Sequence, residues 1–222
     1  MKLAHLFVFI AMAIGVRADI IYNVTLGPVS YSGAPPAPFS LAFEFADGSG
    51  VGDGNNSVTL SNFLFGGGGP SGSPFLSGSV TGDLLSSVVF TDAASTSVFF
   101  QGFTPGNSLS FTVDLTTNVD PGGIPDEFIM SLLDSSLSPI PTTSSSPLFP
   151  LLVVDIDSSN PTVQTFGSSG QPAVAGGGAA FGAPVVTPQA PSPVPEPASW
   201  ALFATALVGV ALWRRRQSRV IP

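Results

Sequence analysis

A two-residue rhythm of apolar and polar side chains, cut by glycine- and proline-rich turns, constrains this 222-residue chain more than any other feature. In Phe39-Ser40-Leu41-Ala42-Phe43-Glu44-Phe45 the large side chains Phe39, Leu41, Phe43 and Phe45 fall on one face of an extended segment. Leu109, Phe111, Val113 and Leu115 do the same from Ser108 to Leu115. Such alternation is the period of a half-buried strand. Further strands are predicted at Ile20–Leu26, Val58–Phe65, Leu84–Phe90, Val98–Phe103, Phe128–Leu133, Leu148–Ile156 and Val163–Phe166. Turn-forming runs such as Asp47-Gly48-Ser49-Gly50 and Thr104-Pro105-Gly106-Asn107 separate them. About nine short strands without an amphipathic helical stretch predict an all-β chain with a single β-sandwich domain, jelly-roll-like, over residues 19–168. Phenylalanine should fill its core, since the chain holds 18 Phe but only 2 Trp and 2 Tyr. Phe99-Phe100 breaks the alternation, so one of these rings should reach the outer surface or a bulge.

The charges are segregated. All the basic residues, Lys2, Arg17, Arg214, Arg215, Arg216 and Arg219, lie at the two ends, and the single His is His5. Between Asp19 and Pro195 there is no Lys, Arg, His, Cys or Trp, although thirteen of the fourteen Asp and Glu residues lie there. A surface for nucleic acid needs cations against phosphates, so nucleic acid is excluded as a partner of the body. Imidazole, thiolate and lysine chemistry are excluded with it. Carboxylates, hydroxyls and a captured metal remain.

Four groups of carboxylates merit attention. Glu44 and Glu127 are the only glutamates of the body, and a pair of carboxylates is the apparatus of a glycosidase. Spacing alone does not bring them together, and solvated surface carboxylates are the simpler reading. Asp47, Asp53, Asn55 and Asn56 crowd a glycine-rich loop, and Asp155 and Asp157 should share one strand face ahead of a turn. Hard oxygen donors on loops suit a structural Ca²⁺. Neither run has the twelve-residue EF-hand pattern, and Asp and Asn also serve turns through local hydrogen bonds. Asp120, Asp126 and Glu127 form a further acidic group. No catalytic residue and no cofactor are expected. Gly66–Gly69 and Gly176–Gly178 lack the lysine and the strand–loop–helix frame of a phosphate loop and read as flexible spacers.

The two ends read as addresses. Residues 1–18 have the positive start, the apolar run Leu6–Ile14 and the small residue Ala18 of a secretory signal peptide, which predicts cleavage by signal peptidase between Ala18 and Asp19. Residues 169–194, rich in Gly and Pro, are expected to be an extended linker. Pro195-Glu196-Pro197 follows, and then an uncharged apolar segment over 198–213 with Trp200 and Trp213 near its ends. As a helix it would span about 24 Å, and its Trp residues suit the two membrane interfaces. Arg214, Arg215, Arg216 and Arg219 would remain cytoplasmic and leave the body outside.

This ending, residues 195–222, resembles the PEP-CTERM sorting signal of Gram-negative bacteria: a Pro-Glu-Pro tripeptide, a short membrane helix and an arginine-rich tail. The resemblance implies export, transient inner-membrane anchoring, and recognition at Pro195, Glu196 and Pro197 by a membrane processing enzyme of the exosortase type. Delivery to the cell surface or the exopolysaccharide matrix would follow. Thr81-Gly82-Asp83 and the run from Val98 to Phe111 are similar to segments of uncharacterised PEP-CTERM proteins. On these expectations the chain is a non-enzymatic surface or matrix protein. The alternatives are a Ca²⁺-dependent carbohydrate-binding module that adheres to exopolysaccharide, and a glycosidase using Glu44 and Glu127.

Overall fold

The computed structural model describes residues 20–32, 39–119, 124–170 and 178–189. The expected signal peptide, the cleavage point Ala18/Asp19 and the whole of the C-terminal sorting segment lie outside the described residues.

Alternation becomes strand wherever it was strict. The strands are β1 (Ile20–Leu26), β2 (Ser30–Ser32), β3 (Phe39–Ala46), β4 (Ser57–Leu64), β5 (Gly69–Ser77), β6 (Val80–Gly82) and β7 (Ser87–Thr91). They continue with β8 (Thr96–Thr104), β9 (Leu109–Leu115), β10 (Asp126–Leu133), β11 (Leu152–Ile156), β12 (Thr162–Thr165), β13 (Gly178–Ala180) and β14 (Val185–Pro188). No helix occurs among the described residues.

Two six-stranded antiparallel sheets form the body. The first has the order β14-β1-β9-β4-β7-β6 and the second β12-β11-β10-β3-β8-β5, while β13 and β2 make a small separate pair. The pairings β3 with β10, β4 with β9, β5 with β8 and β6 with β7 describe one long hairpin. Successive segments of that hairpin alternate between the sheets, which is the jelly-roll-like winding the strand count predicts.

The inner faces meet over a phenylalanine core. Phe43 of β3 has the rings of Phe63, Phe99, Phe111 and Phe128 at centroid distances of 6.4, 6.0, 5.7 and 6.0 Å. Phe63 and Phe111 belong to the opposite sheet, so this one ring joins both layers. The Phe99-Phe100 doublet resolves as alternation requires. Phe99 is buried, and Phe100 lies on the outer face, stacked on Phe75 at 4.5 Å.

Strand β4 contains a shift of phase. Val58 and Leu60 point inward at even positions, and Phe63 and Phe65 at odd ones. Between them Asn62 adopts φ 56°, and the ladder to β9 passes from Ser61↔Thr112 to Leu64↔Ser110. Three steps on β4 oppose two on β9, which is a bulge. It turns both rings to the core and leaves Leu64 outside.

Two segments expected to be spacers are built into the sandwich. A Cβ on Gly68 would lie 1.9 Å from the Thr104 carbonyl oxygen, so the glycine run is a close backbone crossing that leads into β5. The stretch expected as linker 169–194 contains β14, which pairs with β1 from Tyr22↔Pro188 to Thr25↔Val185. Phe181 is buried, and its backbone N–H and C=O both meet Ser168 at 3.1 Å. Pro188 is compatible with this strand because β14 is a sheet edge. The β domain thus extends to Gln189, the last residue of its compact unit.

Phe181→Ala should cost about 3 kcal/mol of stability, the range for truncating a buried phenylalanine. Urea unfolding measures it. An unchanged midpoint would return this stretch to the role of a spacer.

Candidate functional site

At one end of the sandwich three connections converge: residues 47–56 between β3 and β4, 92–95 between β7 and β8, and, between β9 and β10, the described residues 116–119 and 124–125. They carry the buried polar groups Asp47, Asn56 and Asp92, and Asp126 lies directly after the third. Each stands at a strand boundary. Asp47 follows β3, Asn56 precedes β4, Asp92 follows β7 and Asp126 opens β10.

Asn56 is the centre of this cluster. Its Nδ2 donates to Asp126 Oδ2 and to the Asn118 carbonyl, both at 2.7 Å. Its Oδ1 accepts from Thr116 Oγ1 and from the Asn118 amide, both at 2.9 Å. All four side-chain hydrogen bonds open to an asparagine are therefore made. Its backbone N–H donates to Asp92 Oδ2 at 2.7 Å, and its carbonyl accepts from the Asp92 amide at 3.2 Å. Asp92 and Asn56 flank strands of the first sheet and Asp126 belongs to the second, so these bonds tie the layers together.

Asp47 closes the glycine-rich loop. Its carboxylate accepts from the amides of Ser49 and Gly52 and from the Ser49 hydroxyl. Burial opposes ionisation of Asp47, but these donors outweigh it and hold the carboxyl below its ordinary value. Asp126 Oδ1 accepts from the Gly48 amide at 2.8 Å. The carboxylates of Asp47 and Asp126 are thus filled by N–H and O–H donors, which point their hydrogens where a cation would sit.

The other Ca²⁺ candidates accept hydrogen bonds from their near neighbours in sequence. Asp53 is exposed and accepts from Asn55 N at 3.1 Å and Nδ2 at 2.8 Å in a local turn. Asp155 and Asp157 do not share a strand face, because β11 ends at Ile156. Asp157 instead organises the next turn through Thr162 Oγ1 at 2.9 Å and Ser158 Oγ at 3.3 Å. Among the described residues no group of three or more acidic side chains has the arrangement of a metal site.

The second sheet gathers carboxylates on its outer face. Glu127 on β10 stands opposite Asp155 on β11, and Glu44 on β3 stands opposite Ile129, two residues along β10 from Glu127. Glu44 and Glu127, far apart in sequence, are thus diagonal neighbours. Burial raises the pKa of both above the ordinary value, and for Glu127 the negative charges of Asp155 and Glu44 add to it. Beside them runs a groove of about 160 Å³ bounded by Glu44, Val98, Phe100, Ser131, Leu133 and Leu148.

Sequence reasoning missed Asp92 and the pairing of Asp126 with Asn56. The signal available was position: an Asp or Asn directly abutting a strand in each of several turns. Topology then brings those turns to one end.

Glu127→Gln should raise the melting temperature at pH 7 by about 1–3 °C, since it removes a cross-strand like-charge pair. A carboxyl whose pKa is raised by folding costs stability as pH rises from its unfolded value, and the loss is complete once the folded group ionises. The gain should therefore fade at pH 4, where Glu127 is protonated. An equal gain at both values would assign the effect to packing.

Pro195, Glu196, Pro197, Trp200, Trp213 and the four C-terminal arginines lie outside the described residues, so their reading rests on sequence comparison. No curated protein and no solved structure matches the chain. A family model described as the PEP-CTERM protein-sorting motif matches residues 193–216, spanning the Pro-Glu-Pro tripeptide, the apolar segment and the first arginines. This chain therefore carries a PEP-CTERM sorting motif, the mark of an exported, membrane-transiting protein and the element that exosortase, a membrane processing enzyme, recognises.

Proposed function

We propose that the protein is a non-enzymatic component of the cell surface or extracellular matrix, and that its chemistry is delivery. Residues 1–18 direct export and are removed by signal peptidase. The segment 198–213 then holds the chain in the inner membrane with the arginine tail inside. An exosortase-type enzyme acts at Pro195-Glu196-Pro197 and releases or transfers the β domain to the surface or the exopolysaccharide matrix. The sorting motif at residues 193–216 is the observation that carries this reading. The body agrees with it, since its buried carboxylates at the loop end are engaged in holding loops and sheets together.

Replacing Pro195, Glu196 and Pro197 together by alanine tests the proposal. Mass spectrometry should find the native chain trimmed near residue 195 in the surface or matrix fraction. The triple variant should accumulate in the membrane with its C-terminal segment attached. Release of both forms alike would overturn the proposal.

A second reading, a carbohydrate-binding adhesion module, draws on the groove beside Glu44. Phe100 and Phe75 offer a stacked aromatic surface there, and Glu44 and Ser131 offer hydrogen-bonding groups. Glu44 and Glu127 on the same face are also the pair a glycosidase would use. Affinity electrophoresis in exopolysaccharide, with and without chelator, distinguishes these readings. Retardation lost in Phe100→Ala supports adhesion, and its loss in chelator assigns it to Ca²⁺. Glycan turnover abolished by Glu44→Gln or Glu127→Gln supports the hydrolase, and free migration without turnover leaves the structural role.

A further inference from the structure

Asp92 is fully buried, and its Oδ1 has no hydrogen-bond donor. Its Oδ2 accepts from the Asn56 amide. The buried carboxyl of Asp126 on β10 lies within hydrogen-bonding reach of it, and Asp53 in the loop before β4 adds a third negative charge nearby. The chain offers no Lys, Arg or His between Asp19 and Pro195 to neutralise any of them. Two carboxylates in contact, desolvated and without a counter-cation, do not both remain ionised.

We infer that Asp92 and Asp126 share one proton, carried by Asp92 and donated to Asp126, and that this acid pair is a pH-sensitive latch between the two sheets. The shared proton gives the free oxygen of Asp92 a role. It also leaves both Asp126 oxygens accepting from Gly48 and Asn56 as observed. A divalent cation would require six or more oxygen ligands. Here three of the four carboxylate oxygens already face N–H groups at 2.7–2.8 Å.

Burial, reinforced by the charges of Asp126 and Asp53 and opposed by the Asn56 amide, raises the Asp92 pKa to about 7 from its ordinary 3.8. The sign follows from linkage. The folded chain keeps a proton that the unfolded chain releases, so stability falls as pH rises from about 4 to 7 and then levels off. Above that range the ionised pair repels, and the 47–56 loop loosens from β10.

Thermal unfolding of the full-length chain in detergent micelles, from pH 5 to 9, tests the latch against Asp92→Asn, a neutral isostere of the protonated acid. The native chain should lose at least ~3 °C between pH 5.5 and 8. Asp92→Asn should melt higher than the native chain at pH 8 and show a flatter profile. Parallel profiles would overturn the inference. So would 1 mM Ca²⁺ at pH 8 restoring the native melting temperature without affecting Asp92→Asn, which would place a metal where the proton is assigned. If the variant does not fold, carboxyl ¹³C NMR of the native chain decides. An Asp92 midpoint near 7 supports the latch, and one in the ordinary aspartate range contradicts it.

Discussion

A β domain without a single cation must still hold its loops, and the donors it has for the purpose are N–H groups, amide side chains and hydroxyls. That constraint shapes the loop end of the sandwich. Asp47 is held by the amides of its own loop. Asp126 is held by the Gly48 amide and the Asn56 side chain. Asn56, neutral and saturated, supplies the donors that join Asp92 and Asp126 across the two sheets. Hydrogen bonds to a charged acceptor are stronger than neutral ones, so the arrangement is stable where the donors suffice. At Asp92 they do not, and its Oδ1 has no donor.

The same constraint separates the two halves of the molecule's task. Cations and tryptophans are confined to the two ends of the chain, and the C-terminal end carries the sorting motif. The body is a phenylalanine-packed sandwich in which Phe43 joins both sheets. Exported domains often rely on disulfides, and this one has no cysteine. Burial in a two-layer core supplies the stability instead.

Much of the architecture was legible because alternation is a direct image of a half-buried strand. Strands β3 and β9 follow from their sequences almost residue for residue. The phase change at Asn62 is visible too, in the passage from Val58 and Leu60 to Phe63 and Phe65. Strands β5 and β14 were hidden for a physical reason. They are edge strands, where one side of the backbone is unpaired and Gly or Pro is tolerated, so composition resembles a spacer. The site was half legible. Asp47 and Asn56 stand out in one loop, but Asp92 and Asp126 reach them only through pairings of strands distant in sequence. Glu44 and Glu127 likewise become neighbours only through the β3–β10 ladder.

A cation-free fold that buries a carboxyl beyond the reach of enough donors, as at Asp92, must retain a proton there. Proton release on unfolding measures this directly. At pH 5.5, urea unfolding of the native chain in weakly buffered solution should liberate about one proton per molecule or more. Unfolding that releases none, or takes protons up, would show that the folded chain holds no such proton.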